Sequence, residues 1–144
     1  MLVMAQQGSV TFLISENGRQ VAEFTRFPET PFVVDGERYR LMRDRTKRFT
    51  LEGPDGIIAG ANRVRRGEIE VSWHPYLLRM RRPGMFSARW DVFDNEIAVG
   101  ACELSVLSAT GNLPTELPLL VRAFLFYVAI MSAKGHTLGF STYR

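Results

Sequence analysis

Hydrophobic and polar residues alternate along the chain from residue 10 to residue 106, which is the pattern of β-strands with one buried face. The clearest unit comprises residues 10–16 and residues 19–25, which flank the dipeptide Asn17-Gly18. Asn-Gly supplies the two residues with positive φ that a type I′ turn requires, so these two segments are predicted to form a β-hairpin.

Further turn sequences interrupt the alternation at intervals of mostly 8–12 residues, which favours an antiparallel meander over alternating strands and helices. These turns are Asp35-Gly36, Gly53-Pro54-Asp55-Gly56, Arg65-Arg66-Gly67, His74-Pro75, Pro83-Gly84 and Asp94-Asn95. After Pro83-Gly84, the alternating hydrophobic residues from Phe86 to Val92 are predicted to face the core. The hydrophobic phase then changes along residues 96–106, which predicts a β-bulge near Cys102-Glu103.

The alternation stops at a polar stretch, residues 108–115, which is predicted to be a loop. Residues 115–134 are apolar on every side of a helical wheel, with Thr115 as a candidate N-cap and Gly135 as a candidate C-terminal stop. A helix of this kind is buried in a protein core, in a membrane or at an oligomer interface. Burial inside the β-domain is favoured, because the half-apolar strands need a partner; Arg122 must then find a counter-charge or reach solvent.

The predicted fold is therefore mostly β, an antiparallel meander closing into a barrel around a buried hydrophobic C-terminal helix at about residues 115–134. About eleven candidate strands are present when residues 32–34 and 138–143 are included, and a barrel of that width has room for a central helix. The 144 residues form one predicted domain with its core at about residues 10–135.

The positive charge lies in the middle of the chain and is almost entirely arginine. Residues 38–89 contain thirteen Lys or Arg and five Asp or Glu, a net +8, whereas residues 1–37 carry −3 and residues 90–144 carry −2. Strand parity directs six of these arginines out of the barrel, and they are the candidate anion-binding or lipid-binding residues: Arg38, Arg40, Arg48, Arg79, Arg81 and Arg89. Such a surface either only makes the protein soluble or binds phosphates, each guanidinium group donating two hydrogen bonds.

No catalytic or metal-binding motif accompanies this charge. His74, His136 and Cys102 have no spacing that requires a dyad or a metal site, and Gly56-Ile57-Ile58-Ala59-Gly60 leads into a strand rather than into a helix. The sequence therefore predicts no enzyme activity, no metal and no cofactor. The single cysteine and the absence of a signal-peptide pattern favour a cytoplasmic protein, with peripheral attachment to a membrane as an extension of that location.

Three segments resemble the tubby C-terminal-like superfamily, and within it the phospholipid-scramblase and LURP-one-related branch. They are Tyr39-Arg40-Leu41, the hairpin from Arg48 to Gly56, and the apolar helix at residues 117–131; the likeness covers roughly residues 36–135. It implies a strand meander closed around a hydrophobic helix, and an association with lipids. The acidic calcium-binding segment and the cysteine cluster of scramblases have no counterpart here, so lipid scrambling itself is not implied.

Two functional hypotheses follow. The first is a non-enzymatic scaffold or partner-binding module with an unknown protein partner, in which the arginines only solubilise. The alternative is a peripheral domain that binds anionic lipid headgroups of the phosphoinositide type through the six outward arginines. Neither hypothesis involves a transmembrane segment, and nucleic acid is not an expected partner, because the aromatic residues lie mostly on the parity opposite to the arginines.

Overall fold

The computed structural model describes residues 1–8, 10–25, 31–43, 48–84, 86–105 and 108–132, and these form a closed antiparallel barrel of twelve strands with one helix. The strands are β1 (Leu2–Gln7), β2 (Thr11–Glu16), β3 (Arg19–Thr25), β4 (Pro31–Val34), β5 (Glu37–Arg43), β6 (Phe49–Gly53), β7 (Gly56–Arg65), β8 (Glu68–Trp73), β9 (Tyr76–Arg81), β10 (Arg89–Asp94), β11 (Ile97–Ser105) and β12 (Ser108–Asn112). The helix is α1 (Leu119–Ser132). The predicted fold class, a barrel around a buried C-terminal helix, is confirmed.

Each strand pairs with its neighbour in sequence, and the barrel closes where β1 pairs with β12. The closing ladder runs from Leu2, opposite Gly111, to Ala5, opposite Ser108. Leu2 and Met4 are buried, so the core begins before residue 10. The candidate strand at residues 138–143 lies outside the described residues.

Helix α1 fills the barrel, since every residue from Val121 to Met131 is buried. Aromatic rings from opposite walls converge on it. Tyr127 packs against Phe24 with ring centroids 4.9 Å apart and against Phe49 at 5.6 Å, and Phe124 packs against Trp73 at 6.0 Å. A helix enclosed on all sides needs an apolar surface all round, which explains the absence of a polar face.

The prediction of a loop at residues 108–115 is wrong over its first five residues, which form strand β12. Its inward residues are Ala109 and Gly111, and a Cβ at Gly111 would lie 3.3 Å from the ring of Phe126. The helix approaches this strand so closely that only small residues fit, which removes the hydrophobic alternation that marks the other strands. The helix also begins later than predicted, at Leu119, and its first turn includes the bond from Arg122 N to Pro118 O at 3.1 Å.

The predicted bulge near Cys102-Glu103 is also wrong, because that part of β11 pairs in regular register with β10. The register shifts instead opposite Val92 and Phe93, which pair with Gly100 and Ala98. Val99 is therefore the extra residue. A Cβ at Gly100 would clash with the carbonyl oxygen of Asn112, so this close approach of two backbone segments requires glycine.

The up-and-down topology gives the barrel two distinct ends. Helix α1 begins at the end that carries the turns at residues 17–18, 35–36, 54–55, 74–75 and 95–96, here termed the entry end. It runs towards the exit end, where the odd-numbered strands finish and where the β7–β8 turn and the β9–β10 loop lie.

Candidate functional site

The six arginines predicted to bind anions all lie on the outer wall, but the structure separates them. Arg38 and Arg40 are on β5, whereas Arg79 and Arg81 are on β9 and Arg89 is on β10. Four strand spacings separate β5 from β9, which is about 19 Å around the wall. The sixth, Arg48, directly precedes β6, and its guanidinium group lies over Gly60 of β7.

The arginines on β9 converge on one buried carboxylate. The side chain of Glu68 is 6% exposed and lies 3.4 Å from Arg79, 3.5 Å from Arg81 and 3.7 Å from Arg65. Arg79 also lies 3.7 Å from Glu70 on the same strand as Glu68. A buried carboxylate needs cationic partners. Arg79 and Arg81 are therefore already paired with a carboxylate of the protein itself.

Two further candidates are also neutralised by the protein itself. Arg89 donates from Nε to Asp91 at 2.6 Å and from Nη1 to Glu103 at 3.1 Å. The hydrogen bond and the charge of Asp91 raise the pKa of Arg89. Arg40 lies 4.0 Å from Glu52 in an open groove of about 390 Å³. The wall arginines are thus exposed in the predicted direction, but much of their charge is compensated.

The described residues reveal a second basic cluster at the exit end, where two connections lie side by side. Arg82 N donates to Gly67 O at 2.9 Å, which joins the start of the β9–β10 loop to the β7–β8 turn. We term five exposed residues at the end of β7 and in these two connections the basic tip: Arg63, Val64, Arg65, Arg66 and Phe86.

The basic tip combines uncompensated charge with exposed apolar surface. Phe86 is 94% exposed and Val64 is 46% exposed. Among the described residues, Arg63 and Arg66 have no carboxylate partner, and Arg65 makes only the 3.7 Å contact to Glu68 with 73% of its side chain exposed.

Sequence reasoning missed this cluster for a local reason. Phe86 was predicted to face the core as part of a strand, but β10 begins at Arg89, and a turn bond from Ser87 N to Gly84 O at 3.2 Å precedes it. Val64 lies within the register shift between Arg63 and Arg65, which places an apolar side chain on the outer surface. The only signal in the sequence was the unbroken Arg65-Arg66 pair at a turn.

The aromatic faces near these arginines are covered rather than open. The guanidinium carbon of Arg81 lies 5.0 Å from the ring centroid of Phe93, and that of Arg82 lies 5.5 Å from the centroid of Trp90. Both distances are typical of cation–π contacts. These rings therefore offer no free face on which a nucleobase could stack.

The entry end has the opposite charge. Its turns and the approach to α1 carry these carboxylates: Asp35, Glu37, Asp55, Asp94, Glu96 and Glu116. Arg19, which lies 3.3 Å from Asp35, and Arg38 are basic residues beside the same turns. The described part of the barrel is therefore acidic at one end and basic at the other.

Cysteine and histidine are the other residue types that could supply chemistry. Cys102 is fully buried, and burial raises the pKa of its thiol to about 12, which keeps it protonated and unreactive at neutral pH. His74 is exposed in the turn before β9, and His136 lies outside the described residues. Across the described ranges there is no group of three or more His, Cys, Asp or Glu that could hold a metal ion.

Comparison with known proteins identifies no relative: no family model, no curated protein and no solved structure matches the chain. The resemblance to the tubby-like superfamily therefore stays a prediction. In the part of the chain that the structure describes, no helix is long and apolar enough to cross a bilayer.

Proposed function

We propose that this protein is a non-enzymatic module that attaches to anionic membrane surfaces through the basic tip. The observation that carries the proposal is Phe86, an aromatic side chain that is 94% exposed at the same end of the barrel as three exposed arginines. An aromatic ring flanked by basic residues suits the membrane interface, where the ring enters the acyl boundary and the guanidinium groups remain among phosphates.

The expected strength of this attachment is modest. Burying a phenylalanine side chain contributes about 1.5–3 kcal/mol, and each basic residue near an anionic surface contributes about 1 kcal/mol. Phe86 and the three arginines together therefore contribute about 5 kcal/mol, which corresponds to a dissociation constant in the sub-millimolar range. Binding of this strength is reversible and weakens with salt.

The negative charge at the entry end of the barrel also supports attachment through the basic tip. An anionic surface attracts the exit end and repels the carboxylates around the entry end, so the protein approaches with the basic tip forward. Four of the six predicted arginines, Arg40, Arg79, Arg81 and Arg89, lie close to carboxylates, so we assign the arginines of the outer wall a secondary role in attachment.

Nucleic acid is a less suitable partner for the basic tip than an anionic membrane. A single-stranded nucleic acid stacks successive bases on several open aromatic faces interleaved with basic residues. At the exit end Phe86 offers one such face, whereas Trp90 and Phe93 are each covered by an arginine. The partner-binding scaffold remains the second candidate. The observation that favours it is the compensation of Arg79, Arg81 and Arg89 by carboxylates, which leaves these three arginines with a structural and solubilising role.

Co-sedimentation with vesicles tests the proposal. Phosphatidylcholine vesicles, with and without phosphatidylglycerol, are compared at low and high salt. We expect binding only to the anionic vesicles and mainly at low salt. Changing Arg63, Arg65 and Arg66 together to Gln removes about 3 kcal/mol, so the affinity should fall about a hundredfold. Phe86→Ser should weaken binding and leave the melting temperature unchanged, because the ring is already exposed.

The matched control removes the same charge elsewhere, with Arg19, Arg38 and Arg40 changed to Gln. This variant should bind nearly as well as the wild type, since none of its changes lies at the exit end. Equal losses in the two triple variants would mean that net charge alone drives binding and would overturn the assignment to the basic tip. Equal binding of the wild type to neutral and anionic vesicles at low salt would favour the scaffold instead.

A further inference from the structure

Four buried side-chain atoms of the described residues have no hydrogen-bond partner, and all four lie at the exit end. They are Gln6 Oε1 at the end of β1, Thr25 Oγ1 at the end of β3, Arg82 Nε after β9 and Trp90 Nε1 in the first half of β10. A buried polar group without a partner is destabilising, so each of these atoms needs a physical explanation.

The two nitrogen donors of this set are neighbours. Trp90 is 4% exposed, and the guanidinium group of Arg82 lies over its ring, 5.5 Å from carbon Cζ to the ring centroid. The backbone of Arg82 is held by its bond to Gly67 O, and its side chain runs along Gly67, where an added Cβ would lie 3.8 Å from Nε. Gly67 has φ +76°, a backbone conformation that favours glycine. Two buried N–H groups, one of them cationic, thus belong to side chains that contact each other.

We propose that Arg82 and Trp90 form a subsite for one phosphate-type oxyanion at the exit end of the barrel. The cation favours a negatively charged acceptor over a neutral carbonyl, and guanidinium donors make short, strong bonds to phosphate oxygens. In the part of the chain that the structure describes, no carboxylate forms an ion pair with Arg82, in contrast to Arg79, Arg81 and Arg89.

The burial of the two donors also determines which phosphate fits. Neither nitrogen is exposed at the surface, so an oxygen must enter beside the ring and the Gly67 backbone to reach them. A terminal phosphate monoester presents unsubstituted oxygens on its outer side, whereas a diester is shielded by substituents on two of them. The subsite therefore favours a monoester, either on a lipid such as phosphatidic acid or free in solution; the lipid source alone rests on the proposed function.

The indole N–H proton of Trp90 reports directly on this subsite in a ¹H–¹⁵N NMR spectrum. The protein has two tryptophans, so the spectrum of Trp73→Phe identifies the Trp90 signal. Addition of inorganic phosphate or glycerol 3-phosphate should move this signal downfield as the new hydrogen bond forms. Dimethyl phosphate, a diester, should move it much less, and chloride at equal ionic strength should leave it in place.

Arg82→Lys separates the subsite from general electrostatics, because it keeps the positive charge and removes the Nε–H donor. We expect this variant to lose most of the phosphate-induced shift. In vesicles matched for surface charge, the wild type should bind phosphatidic acid severalfold more tightly than phosphatidylglycerol, and Trp90→Phe should abolish this preference.

The outcomes distinguish this subsite from the proposed function. No indole shift with phosphate, or an equal shift with chloride, overturns the subsite even if phosphatidylglycerol vesicles still bind. A phosphate-induced shift without any vesicle binding retains the subsite as one for a free oxyanion and removes the membrane function. A shift together with the preference for phosphatidic acid supports the lipid source.

Discussion

Arg122 of the central helix donates from Nη1 to Oε2 of Glu16 at 2.6 Å, across the entry end of the barrel. A second bond runs from Arg122 Nε to the carbonyl oxygen of Leu117 at 3.0 Å. The pair joins the helix to the end of β2 and provides the counter-charge that the sequence required for a guanidinium in an apolar segment.

Glu16→Gln should therefore lower the free energy of unfolding by about 3 kcal/mol, because it leaves a buried guanidinium without a charged partner. Urea denaturation of the variant measures this change. Combining Glu16→Gln with Arg122→Met should recover most of the loss, since the apolar replacement removes the buried charge as well. A single variant within about 0.5 kcal/mol of the wild type, a typical surface effect, would contradict a structural role for the pair.

Alanine substitutions at the inward glycines should destabilise the protein more where less space surrounds the glycine. Gly111→Ala brings a methyl group to 3.3 Å from Phe126 and should cost about 1–3 kcal/mol of stability, as overpacking does in other cores. Gly100→Ala should cost more, because the carbonyl of Asn112 is backbone and cannot rotate away. Gly84→Ala is the control, since its Cβ would meet nothing within 4 Å, and thermal melts should show no loss.

Cys102 makes stability depend on alkaline pH. Its folded-state pKa, raised by burial from 9.0 to about 12, means that the unfolded chain loses the thiol proton first as the pH rises. The stabilisation is fully present below about pH 9 and declines between pH 9 and pH 12. Cys102→Ala should show a shallower loss of stability over this window, measured by urea denaturation at a series of pH values. Rapid alkylation of the wild-type thiol at pH 8 under native conditions would show that Cys102 is accessible and contradict its burial.

Glu68→Gln should change stability and membrane binding in opposite directions. Loss of the buried carboxylate removes the shared partner of Arg65, Arg79 and Arg81, which remain partly exposed to water, so the free energy of unfolding should fall by about 1–3 kcal/mol. The same change adds one positive charge near the exit end and should tighten binding to anionic vesicles about fivefold. Glu103→Gln, at an exposed partner of Arg89, is the stability control and should change unfolding by less than about 1 kcal/mol.

The strongest local signals in the sequence predicted the wall of the barrel. Asn17 and Gly18 have φ values of 53° and 79°, and Glu16 pairs with Arg19 across them, as the Asn-Gly turn predicted. The all-round apolar segment predicted the buried helix. These features succeed because backbone conformation and burial depend on residue type within a few positions.

Other features depend on contacts with distant parts of the chain, so the residues around them in the sequence do not indicate them. Strand β12 has small inward residues because Phe126 occupies the space opposite Gly111. Parity placed Arg79 and Arg89 on the outer surface correctly, but it could not show that Glu68 and Glu103 neutralise them. The unpartnered donors of Arg82 and Trp90 arise from a contact between two connections, so periodicity could not predict that subsite.

The ladder between β1 and β12 has a consequence for how the chain is made. Leu2 pairs with Gly111, so the barrel cannot close on a ribosome until nearly all of the sheet has been synthesised. The segment that fills the interior, Leu119–Ser132, emerges later still. Until then the apolar faces of the earlier strands have nothing to pack against, and pairing of such distant segments is slow. We therefore expect the nascent chain to fold only after release of the helix, and to need protection from aggregation up to that moment.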